Sequence, residues 1–393
     1  MTENQRKPVI RFAEFTDAWE QRKLSEIASL RTGFPFSSEE FEDDGDYLVI
    51  TNGNVKDKFA TVDGSIGNHI SVSNDDIIRD YLLNIDDILV TMDGTVGRTA
   101  RVVEDCQILA QRVGRITAGI DSGFLFQWLN TGNFSRKMVE LSHGGTIKHI
   151  SLDEIGSYKS SIPNSSKEQH SIGMMFLDID NLITLHQREY DKTLNIKKAM
   201  LEKMFPKNGE DRPEIRFAGF TDAWEQRKLG DISEIKTGSS DTQDAVLEGI
   251  YPFFVRSDEV QRSNKYLYDG EAILIPGEGR LGEIYHYIKG KFDFHQRVYK
   301  ISDFDGIYGR FIFYEMQHSF KHHALKNTAK ATVDSIRLPT LTEYEIRIPS
   351  IGEQGLIGTF FEHLDNLITL HQRELKKLQN MKKALLEKMF VQG

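Results

Sequence analysis

The chain of 393 residues is poor in cysteine and proline and has no long apolar run. Its single cysteine, Cys106, excludes an internal disulfide framework and any zinc site built from several cysteines. No stretch approaches the roughly 18 apolar residues that a membrane-spanning helix needs, and the first residues are polar. With 39% hydrophobic and 27% charged residues, the composition is that of a globular protein. We therefore expect a cytoplasmic protein of two or three domains.

Positive charge is also scarce. The 49 lysines and arginines are outnumbered by 59 acidic residues, and the formal net charge of −10 argues against simple DNA binding. The charges are unevenly distributed, however. Acidic residues crowd into 39–46, whereas 98–148 has seven lysines or arginines against four acids, and 289–337 has nine against five. These two basic stretches are able to meet phosphates while acidic surface faces elsewhere. The alternative is that they are ordinary solvated faces.

An internal repeat dominates the sequence. The segment IRFAEFTDAWEQRKL, Ile10 to Leu24, recurs as IRFAGFTDAWEQRKL, Ile215 to Leu229, with 14 of 15 positions identical. A second pair, Leu177 to Phe205 and Glu362 to Phe390, matches at 20 of 29 positions. The order of parts is therefore scaffold, variable unit, scaffold, variable unit.

The stretches between the repeated segments, roughly 25–161 and 230–347, hardly resemble each other. Segments that stay alike in two copies are expected to contact something shared, and segments that diverge are expected to contact different things. This pattern fits a protein whose repeated segments bind one type of partner twice and whose divergent segments bind two different ligands. The alternative is a recent duplication that has not yet drifted, but drift alone blurs all segments equally.

The second repeated segment predicts a long helix of about 43 Å, with apolar residues spaced by three and four and no proline before Pro206. Two such stripes are able to bury each other as an antiparallel coiled coil, with an ordinary helical hairpin in a core as the alternative. We interpret His186 and His371 as polar positions in the seam and not as metal ligands. The seam residues that would join the helices or dock a partner are Ile179, Ile183, His186, Tyr190, Lys197, Met200 and Met204 in the first copy, and Leu364, Ile368, His371, Leu375, Leu378, Leu385 and Met389 in the second.

Each variable stretch predicts a small α+β domain, because short β-like runs alternate with glycine and asparagine turns and end in a helical stretch. In both, a strand leads into a glycine-rich turn with a cation, DGTVGR from Asp93 and GEGRLG from Gly277. The second turn contains GxGxxG, a pattern of dinucleotide-binding loops. The run that follows, EIYHYI, is typical of a strand and offers no helix N-terminus to a pyrophosphate, so we predict a hairpin turn there.

The duplicated WEQRKL and LITLHQRE elements, each followed or preceded by a divergent domain, resemble the specificity subunits of type I restriction-modification systems. The resemblance covers essentially the whole chain. It implies an α+β fold with two globular target-recognition domains separated by two long antiparallel coiled-coil helices, in a pseudo-two-fold tandem repeat. The expected division is 1–161 for the first recognition domain, 162–207 for a central helical spacer, 208–347 for the second recognition domain and 348–393 for a distal helical spacer.

The resemblance also implies a function. Each domain would read one half of a bipartite, asymmetric double-stranded DNA target, and the helices would dock two methyltransferase subunits, joined by two restriction-translocase subunits. The spacer length is close to one turn of B-DNA, roughly 34 to 36 Å. The family brings no catalytic residues, and the sequence has neither NPPY nor DPPY nor a Walker A pattern. We expect no catalytic activity, cofactor or metal in this chain.

Base-reading residues are harder to choose, because the recognition domains are the family's variable part. Arginine suits guanine edges, and glutamine suits adenine edges, in the major groove. The Gln-Arg pair recurs in both domains, and an element kept in both does not easily specify different bases. Phosphate contact or domain packing is therefore the alternative role for these pairs. The candidate DNA-binding residues are Arg98, Gln111, Arg112, Lys148 and His149 in the first domain, and Arg280, Gln296, Arg297, Lys326, Lys330 and Thr332 in the second.

Two other functions remain open from the sequence. One is a coiled-coil adaptor that joins two proteins without touching DNA. The other is an enzyme with a site at His318, His322 and His323. A flat salt dependence of DNA binding would favour the adaptor, and bound metal in the purified protein would favour the enzyme.

Overall fold

The computed structural model describes residues 7–56, 60–207, 209–327 and 335–391. Contacts divide the chain into unit 1, residues 1–187 and 373–393, and unit 2, residues 188–372. This division differs from the four consecutive segments expected from the sequence, because each long helix contributes residues to both units. Both units combine strands and helices, as an α+β fold requires.

Unit 1 begins with short strands and helices and then enters the first long helix. Its strands are β1 Glu20–Lys23, β2 Ala28–Thr32, β3 Tyr47–Ile50, β4 His69–Ile70, β5 Ile88–Thr91, β6 Thr99–Arg101, β7 Gln107–Leu109, β8 Val113–Ala118 and β9 Lys159–Ile162. Its helices are α1 Leu24–Ile27, α2 Asp75–Tyr81, α3 Ser122–Leu129, α4 Asn133–Leu141, α5 Leu152–Gly156 and α6 Ser166–Lys203, the last of which continues into unit 2.

The strands of unit 1 form sheets in the orders β2-β8-β5-β6 and β4-β3-β7, and β1 pairs with β9. β5 is buried along its whole length, as its apolar run predicts. It pairs antiparallel with both β6 and β8, and the antiparallel ribbon of β1 and β9 sets Glu20 opposite Ile162. The first repeated segment therefore lies beside the start of α6.

Unit 2 repeats this order with longer strands. Its strands are β10 Glu225–Lys228, β11 Glu234–Thr237, β12 Tyr251–Phe254, β13 Gln261–Ser263, β14 Tyr268–Pro276, β15 His286–Phe294, β16 Val298–Ser302 and β17 Glu345–Ile348. Its helices are α7 Leu229–Ile232, α8 Gly309–Glu315, α9 Lys321–Lys326, α10 Leu338–Thr342 and α11 Ile351–Met389, and a π-helical turn, Met316–Phe320, connects α8 to α9.

One sheet in the order β11-β16-β14-β15-β12-β13 organises unit 2, and β10 pairs with β17 as β1 does with β9. β14 and β15 are antiparallel neighbours from Tyr268 opposite Phe292 to Leu274 opposite His286. The GxGxxG segment connects these two strands. The expected hairpin turn is thus confirmed, and the segment precedes a strand and not a helix.

The repeated tryptophans and phenylalanines pack on each other inside each unit. Trp19 is fully buried in unit 1, with its ring centroid 6.1 Å from that of Phe390, just beyond the end of α11. Trp224 lies at the same distance from Phe205, just beyond the end of α6, in unit 2. Packing therefore explains why these residues are identical in the two copies.

Within each unit a segment of α6 runs antiparallel to a segment of α11. In unit 2, Gln372 donates to the Tyr190 hydroxyl at 2.9 Å, and Lys197 donates to Asp365 at 2.6 Å. Residues later in α6 thus pair with residues earlier in α11, as in an antiparallel pair of helices. In unit 1, Lys382 donates to Asp180 at 2.6 Å. Ion pairs thus account for Lys197, which interrupts the apolar seam, and for Lys382, the equivalent residue of the second copy. The predicted seam residues are all buried or half-buried: Ile179, Ile183, His186, Tyr190, Lys197, Met200, Met204, Leu364, Ile368, His371, Leu375, Leu378, Leu385 and Met389.

The repeated N-terminal segments are tied to the long helices by one bidentate ion pair in each unit. Arg11 donates to both oxygens of Glu168 at 2.6 and 2.8 Å, and Arg216 donates to both oxygens of Glu353 at 2.7 and 2.8 Å. Both glutamates are almost completely buried. Bidentate pairs of this geometry are among the stronger hydrogen-bonded contacts in proteins.

A buried carboxyl group in unit 2 makes its stability depend on pH. Glu315 accepts hydrogen bonds from the hydroxyls of Tyr344 and Ser319, both at 2.8 Å, and burial raises its pKa from 4.5 to about 7. The protonated form is favoured in the folded state, so this stabilising contribution is complete below pH 4.5 and lost as the pH rises through 7. In unit 1, Trp128 takes the corresponding place against Tyr158.

Glu315→Gln tests this contribution. We expect the free energy of unfolding of the wild-type unit 2 to fall by roughly 2 to 3 kcal/mol more than that of the variant between pH 5 and 8. Urea unfolding at several pH values, followed by hydrogen exchange of unit 2 peptides, measures both slopes. Parallel slopes in the two proteins would contradict the assignment to Glu315.

No helix in the described parts of the chain is long and apolar enough to cross a membrane.

Candidate nucleic-acid interface

The glycine-rich turn of unit 1 follows the central strand β5. Gly94 and Gly97 have φ of +69° and +80°, a left-handed conformation that favours glycine. A Cβ on Gly97 would lie 2.8 Å from the Cβ of Met138, so the turn packs directly on α4. Val96 is buried and anchors the turn, while Thr95 is exposed and Arg98 half-exposed. The backbone is thus fixed, and the polar side chains are presented beside it.

A second element, the Gln111-Arg112 corner, precedes β8. The Gln111 amide donates to the Phe34 carbonyl at 2.8 Å, and the Met92 amide donates to the Arg112 carbonyl at 3.2 Å. Arg112 itself has φ of +71°. Its guanidinium is exposed and lies 3.1 Å from the Asp93 carboxylate.

A third element, the exposed loop 143–149, closes the cluster. The backbones of His143 and His149 exchange two hydrogen bonds of 2.8 Å, and the Gly94 amide donates to the Lys148 carbonyl at 2.8 Å. The His149 ring is hydrogen-bonded to Asp93. The predicted residues Gln111, Arg112, Lys148 and His149 therefore gather around Asp93, and Arg98 lies at the other end of the same turn.

An open cleft of about 720 Å³ lies between this turn and helices α3 and α4. Arg98 lines it, together with Arg136, Lys56 and the apolar side chains of Leu129 and Val139. Arg136 and Lys56 are not among the DNA-binding residues predicted from the sequence. Neither belongs to the repeat or to the glycine turn, and only their placement beside Arg98 marks them.

The turn of unit 2 has the same construction. Gly279 and Gly282 have φ of +90° and +63°, and a Cβ on Gly282 would lie 2.6 Å from the Cα of Lys321 in α9. Arg280 is exposed and donates to Asp258 at 2.5 Å and to Glu283 at 3.0 Å. Lys321, 2.7 Å from Glu283, and then Arg280 hold the pKa of that carboxyl below its usual range.

The Gln296-Arg297 corner also recurs with its hydrogen bonds. The Gln296 amide donates to the Ser240 carbonyl at 2.9 Å, and the Gly277 amide donates to the Arg297 carbonyl at 2.8 Å. The exposed Arg297 guanidinium lies 2.5 Å from the Glu278 carboxylate. Lys326 is exposed at the end of α9. Lys330 and Thr332 lie outside the described residues.

The two units therefore share the backbone frame of the glycine turn and its bridges, whereas the corners differ in that Arg112, but not Arg297, has a positive φ. Asp93 and Glu278, Arg112 and Arg297, and both pairs of left-handed glycines correspond at a constant offset, 278 − 93 = 185 and 297 − 112 = 185. Asp93 forms an antiparallel bridge with His149, and Glu278 forms one with Ser335. The Gln-Arg pair that recurs in the sequence thus marks equivalent corners of the two units.

The predicted alternative site at His318, His322 and His323 does not form a cluster. His318 stacks on Phe205 at 5.5 Å, and the His323 ring is hydrogen-bonded to the Thr340 carbonyl at 3.0 Å. Burial lowers the pKa of both imidazoles. Within the described residues, no group of three or more histidine, cysteine, aspartate or glutamate side chains is arranged to hold a metal ion.

A different surface appears on the long helices. Leu182 and Leu185 of α6 are 44% and 53% exposed, and their counterparts Leu367 and Leu370 of α11 are 45% and 51% exposed. Since the seam residues face the neighbouring helix segment, these leucines form a separate apolar face in each unit. We call it the exposed leucine face. Sequence periodicity missed it because the seam accounted for the heptad pattern.

Comparison with known proteins assigns the chain to one family. The family model described as "Type I restriction modification DNA specificity domain" matches residues 16–195 and again residues 221–380. The two matches fall on the two copies of the internal repeat and together span most of the chain. The chain belongs to this family of DNA specificity proteins.

Two curated relatives are specificity subunits. The type I restriction enzyme EcoDI specificity subunit of Escherichia coli is 30% identical over 162 residues, 41% of this chain and 35% of that protein. The MjaVIII specificity subunit of Methanocaldococcus jannaschii is 23% identical over 359 residues, 82% of each chain. The chain thus spans about a third of the length of the first relative and most of the second.

A solved structure has the same fold. The S subunit of a type I restriction-modification system from M. genitalium superposes with a TM-score of 0.76, covering 98% of this chain and 99% of that chain at 16% identity. The expected fold class, two α+β domains with long helices in a tandem repeat, is confirmed.

Proposed function

We propose that this chain is the DNA-reading subunit of a type I restriction-modification complex and that it recognises a bipartite, asymmetric target. The observation that carries the proposal is the shared backbone frame with unlike exposed side chains. A common frame suits two ligands of one kind, and unlike side chains suit two different sequences. Family membership supports the same conclusion.

Exposed cationic side chains support contact with DNA despite the acidic total, although Arg112, Arg297 and Arg280 are each paired with a carboxylate of the same cluster. In unit 1, Arg98 and Arg136 line the cleft beside the turn, Arg112 lies at the neighbouring corner, and Lys148 is exposed in the loop whose backbone is bonded to the turn. In unit 2, Arg280, Arg297 and Lys326 lie on the corresponding elements. Side chains of this kind bind DNA through phosphates, which supply much of the affinity, and through base edges, which supply the specificity.

The exposed leucine face supports a shared protein partner. Packing inside the units explains the identity of the tryptophans and phenylalanines, but it does not explain identical leucines that remain about half exposed. Exposed apolar patches mark interaction sites, and one such face occurs in each unit. Two copies of a methyltransferase subunit therefore dock there, and two restriction-translocase subunits complete the assembly.

Catalysis belongs to those partners in this proposal. The chain itself acts by binding, needs no cofactor or metal, and works in the cytoplasm. Residues 25–161 determine the first half-site, and residues 230–347 determine the second. The repeated segments hold both in one complex with the partners.

Methylation mapping tests the proposed function. The chain is assembled with its methyltransferase partner, and the methylated sequences are read from a random DNA library. We expect one gapped, asymmetric sequence, and exchange of residues 25–161 for those of another family member changes only one half of it. An unchanged sequence after the exchange, or the absence of any two-part target, would refute the proposal.

Salt dependence gives an independent measurement. If several phosphates are contacted, DNA affinity falls steeply between 50 and 200 mM salt, by roughly tenfold or more. Charge reversal at Arg136, Arg136→Glu, should weaken binding further and reduce the slope. A flat dependence in the assembled complex would contradict phosphate contact.

A further inference from the structure

The shared frame separates residues that both units keep from residues in which they differ. Both units have a glutamine-arginine corner, and in both an arginine lies beside a carboxylate, Arg112 with Asp93 and Arg297 with Glu278. A group kept in the same place in both units does not distinguish two unlike half-sites. Its chemistry fits the phosphate backbone, which is the same in every sequence.

Three positions on this frame carry unlike side chains. Thr95 corresponds to Arg280 and Arg98 to Glu283, because both pairs lie between or beside the same left-handed glycines. His149 corresponds to Ser335, because each forms the same bridge to the carboxylate residue of the turn. Hydrogen-bonding chemistry differs at every pair, and the charge changes from positive to negative between Arg98 and Glu283.

Resting on the proposed function, we propose that these three pairs of positions determine which bases each unit selects. In this assignment Asp93 and Glu278 are positioning residues that orient the arginine of the corner, which binds phosphate.

Arg280 illustrates the chemistry. Its Nη1 donates to Asp258 and its Nε donates to Glu283, so two carboxylates hold the guanidinium in place. An arginine has five N–H donors, and the group therefore retains donors for a base edge. Paired donors suit the O6 and N7 acceptors of guanine, and the Glu283 carboxylate suits the N4 donor of cytosine.

Unit 1 presents a different set on the same frame. Thr95 offers a hydroxyl and a methyl group where unit 2 has an arginine, and Arg98 lies at the edge of the cleft where unit 2 has a carboxylate. Threonine suits the thymine methyl group or a single hydrogen bond, and arginine suits guanine. The two units are therefore built to prefer different bases at equivalent places.

An exchange of side chains tests the inference. The full chain with Thr95→Arg, Arg98→Glu and His149→Ser is assembled with the methyltransferase partner, and its methylated sequences are mapped from a random library. We expect new bases in the first half-site and an unchanged second half-site. An unchanged first half-site, methylated more slowly, would overturn the inference.

Arg112→Ala is the matched comparison in the same cluster. It should lower the methylation rate, by roughly tenfold at physiological salt, without changing the preferred bases, since a phosphate contact weakens binding uniformly across sequences. A change of preferred base in this variant would instead mean that the Gln111-Arg112 corner reads bases. It would overturn the inference that residues shared by both units bind phosphate and residues that differ select the bases.

A single substitution in unit 2 decides the question if the triple variant does not assemble. Arg280→Thr should relax discrimination at one position of the second half-site by roughly ten- to a hundredfold. Full discrimination at every position of that half-site would refute the inference. The wild-type complex separates the two proposals, because a wild type that recognises no two-part sequence refutes the proposed function itself.

Discussion

Replacing Leu182 and Leu185 by aspartate is expected to remove one of the two methyltransferase subunits from the complex. Each leucine is about half exposed in the isolated chain, and on the proposed docking surface it would become buried against the partner. Complete burial of an exposed leucine contributes about 1.5 to 3 kcal/mol, so a leucine that is already half buried gains about half of that, and a carboxylate in its place adds a desolvation cost. Loss of both side chains therefore weakens docking by at least roughly a hundredfold. Native mass spectrometry of the assembled complex counts the subunits.

The repeat supplies the matched experiments. Leu367→Asp with Leu370→Asp should remove the other methyltransferase, and all four substitutions should remove both. Leu194, on the same helix α6, is 37% exposed but corresponds to Gln379 in the other copy, so Leu194→Asp is the control that should leave both partners bound. Two bound methyltransferases after substitution of all four leucines would exclude the exposed leucine face as their docking surface.

The repeat, the long helices and the hairpin turn were predictable because each depends on local pattern. A duplicated segment needs only self-comparison, and apolar spacing identified the seam. Apolar spacing alone did not predict the start of each long helix, although the family resemblance set the start of the two helical spacers at 162 and 348. α6 begins at Ser166 and α11 at Ile351, 11 residues before the repeated segments at Leu177 and Glu362. Glycines in these first turns weaken the helical pattern.

Those glycines have a tertiary role that a sequence alone does not reveal. A Cβ on Gly173 would lie 2.7 Å from the Phe124 amide, so this part of α6 closely approaches the start of α3. Similarly, the candidate interface depends on long-range contacts. Asp93 joins Arg112 and His149 across 19 and 56 residues of sequence, and Arg136 is brought beside Arg98 by the close approach of Gly97 to α4.

The buried ion pair of unit 2 should produce the largest change in stability. In the wild type, the Glu353 side chain is fully buried and the Arg216 side chain is mostly buried. Glu353→Ala therefore leaves the Arg216 guanidinium in a mostly buried place without its carboxylate partner. Breaking one partner of a buried pair costs about 3 to 5 kcal/mol, whereas replacing both partners with apolar residues is often nearly neutral. We therefore expect Glu353→Ala to destabilise unit 2 severely and Arg216→Met with Glu353→Leu to recover most of the loss. Urea unfolding combined with hydrogen exchange of unit 2 peptides measures both.

Unit 1 provides a comparison with a predicted difference. There the Trp19 indole N–H also donates to Glu168, at 3.2 Å, in addition to the bidentate bond from Arg11. Arg11→Met with Glu168→Leu removes the acceptor of a buried donor, which costs a further 1 to 3 kcal/mol or so. The double substitution should therefore destabilise unit 1 more than the matching one destabilises unit 2. Equal losses of stability in the two double variants would mean that the indole hydrogen bond contributes nothing. If Arg216→Met with Glu353→Leu is as unstable as Glu353→Ala, the loss comes mainly from packing of the arginine stem and not from the uncompensated charge.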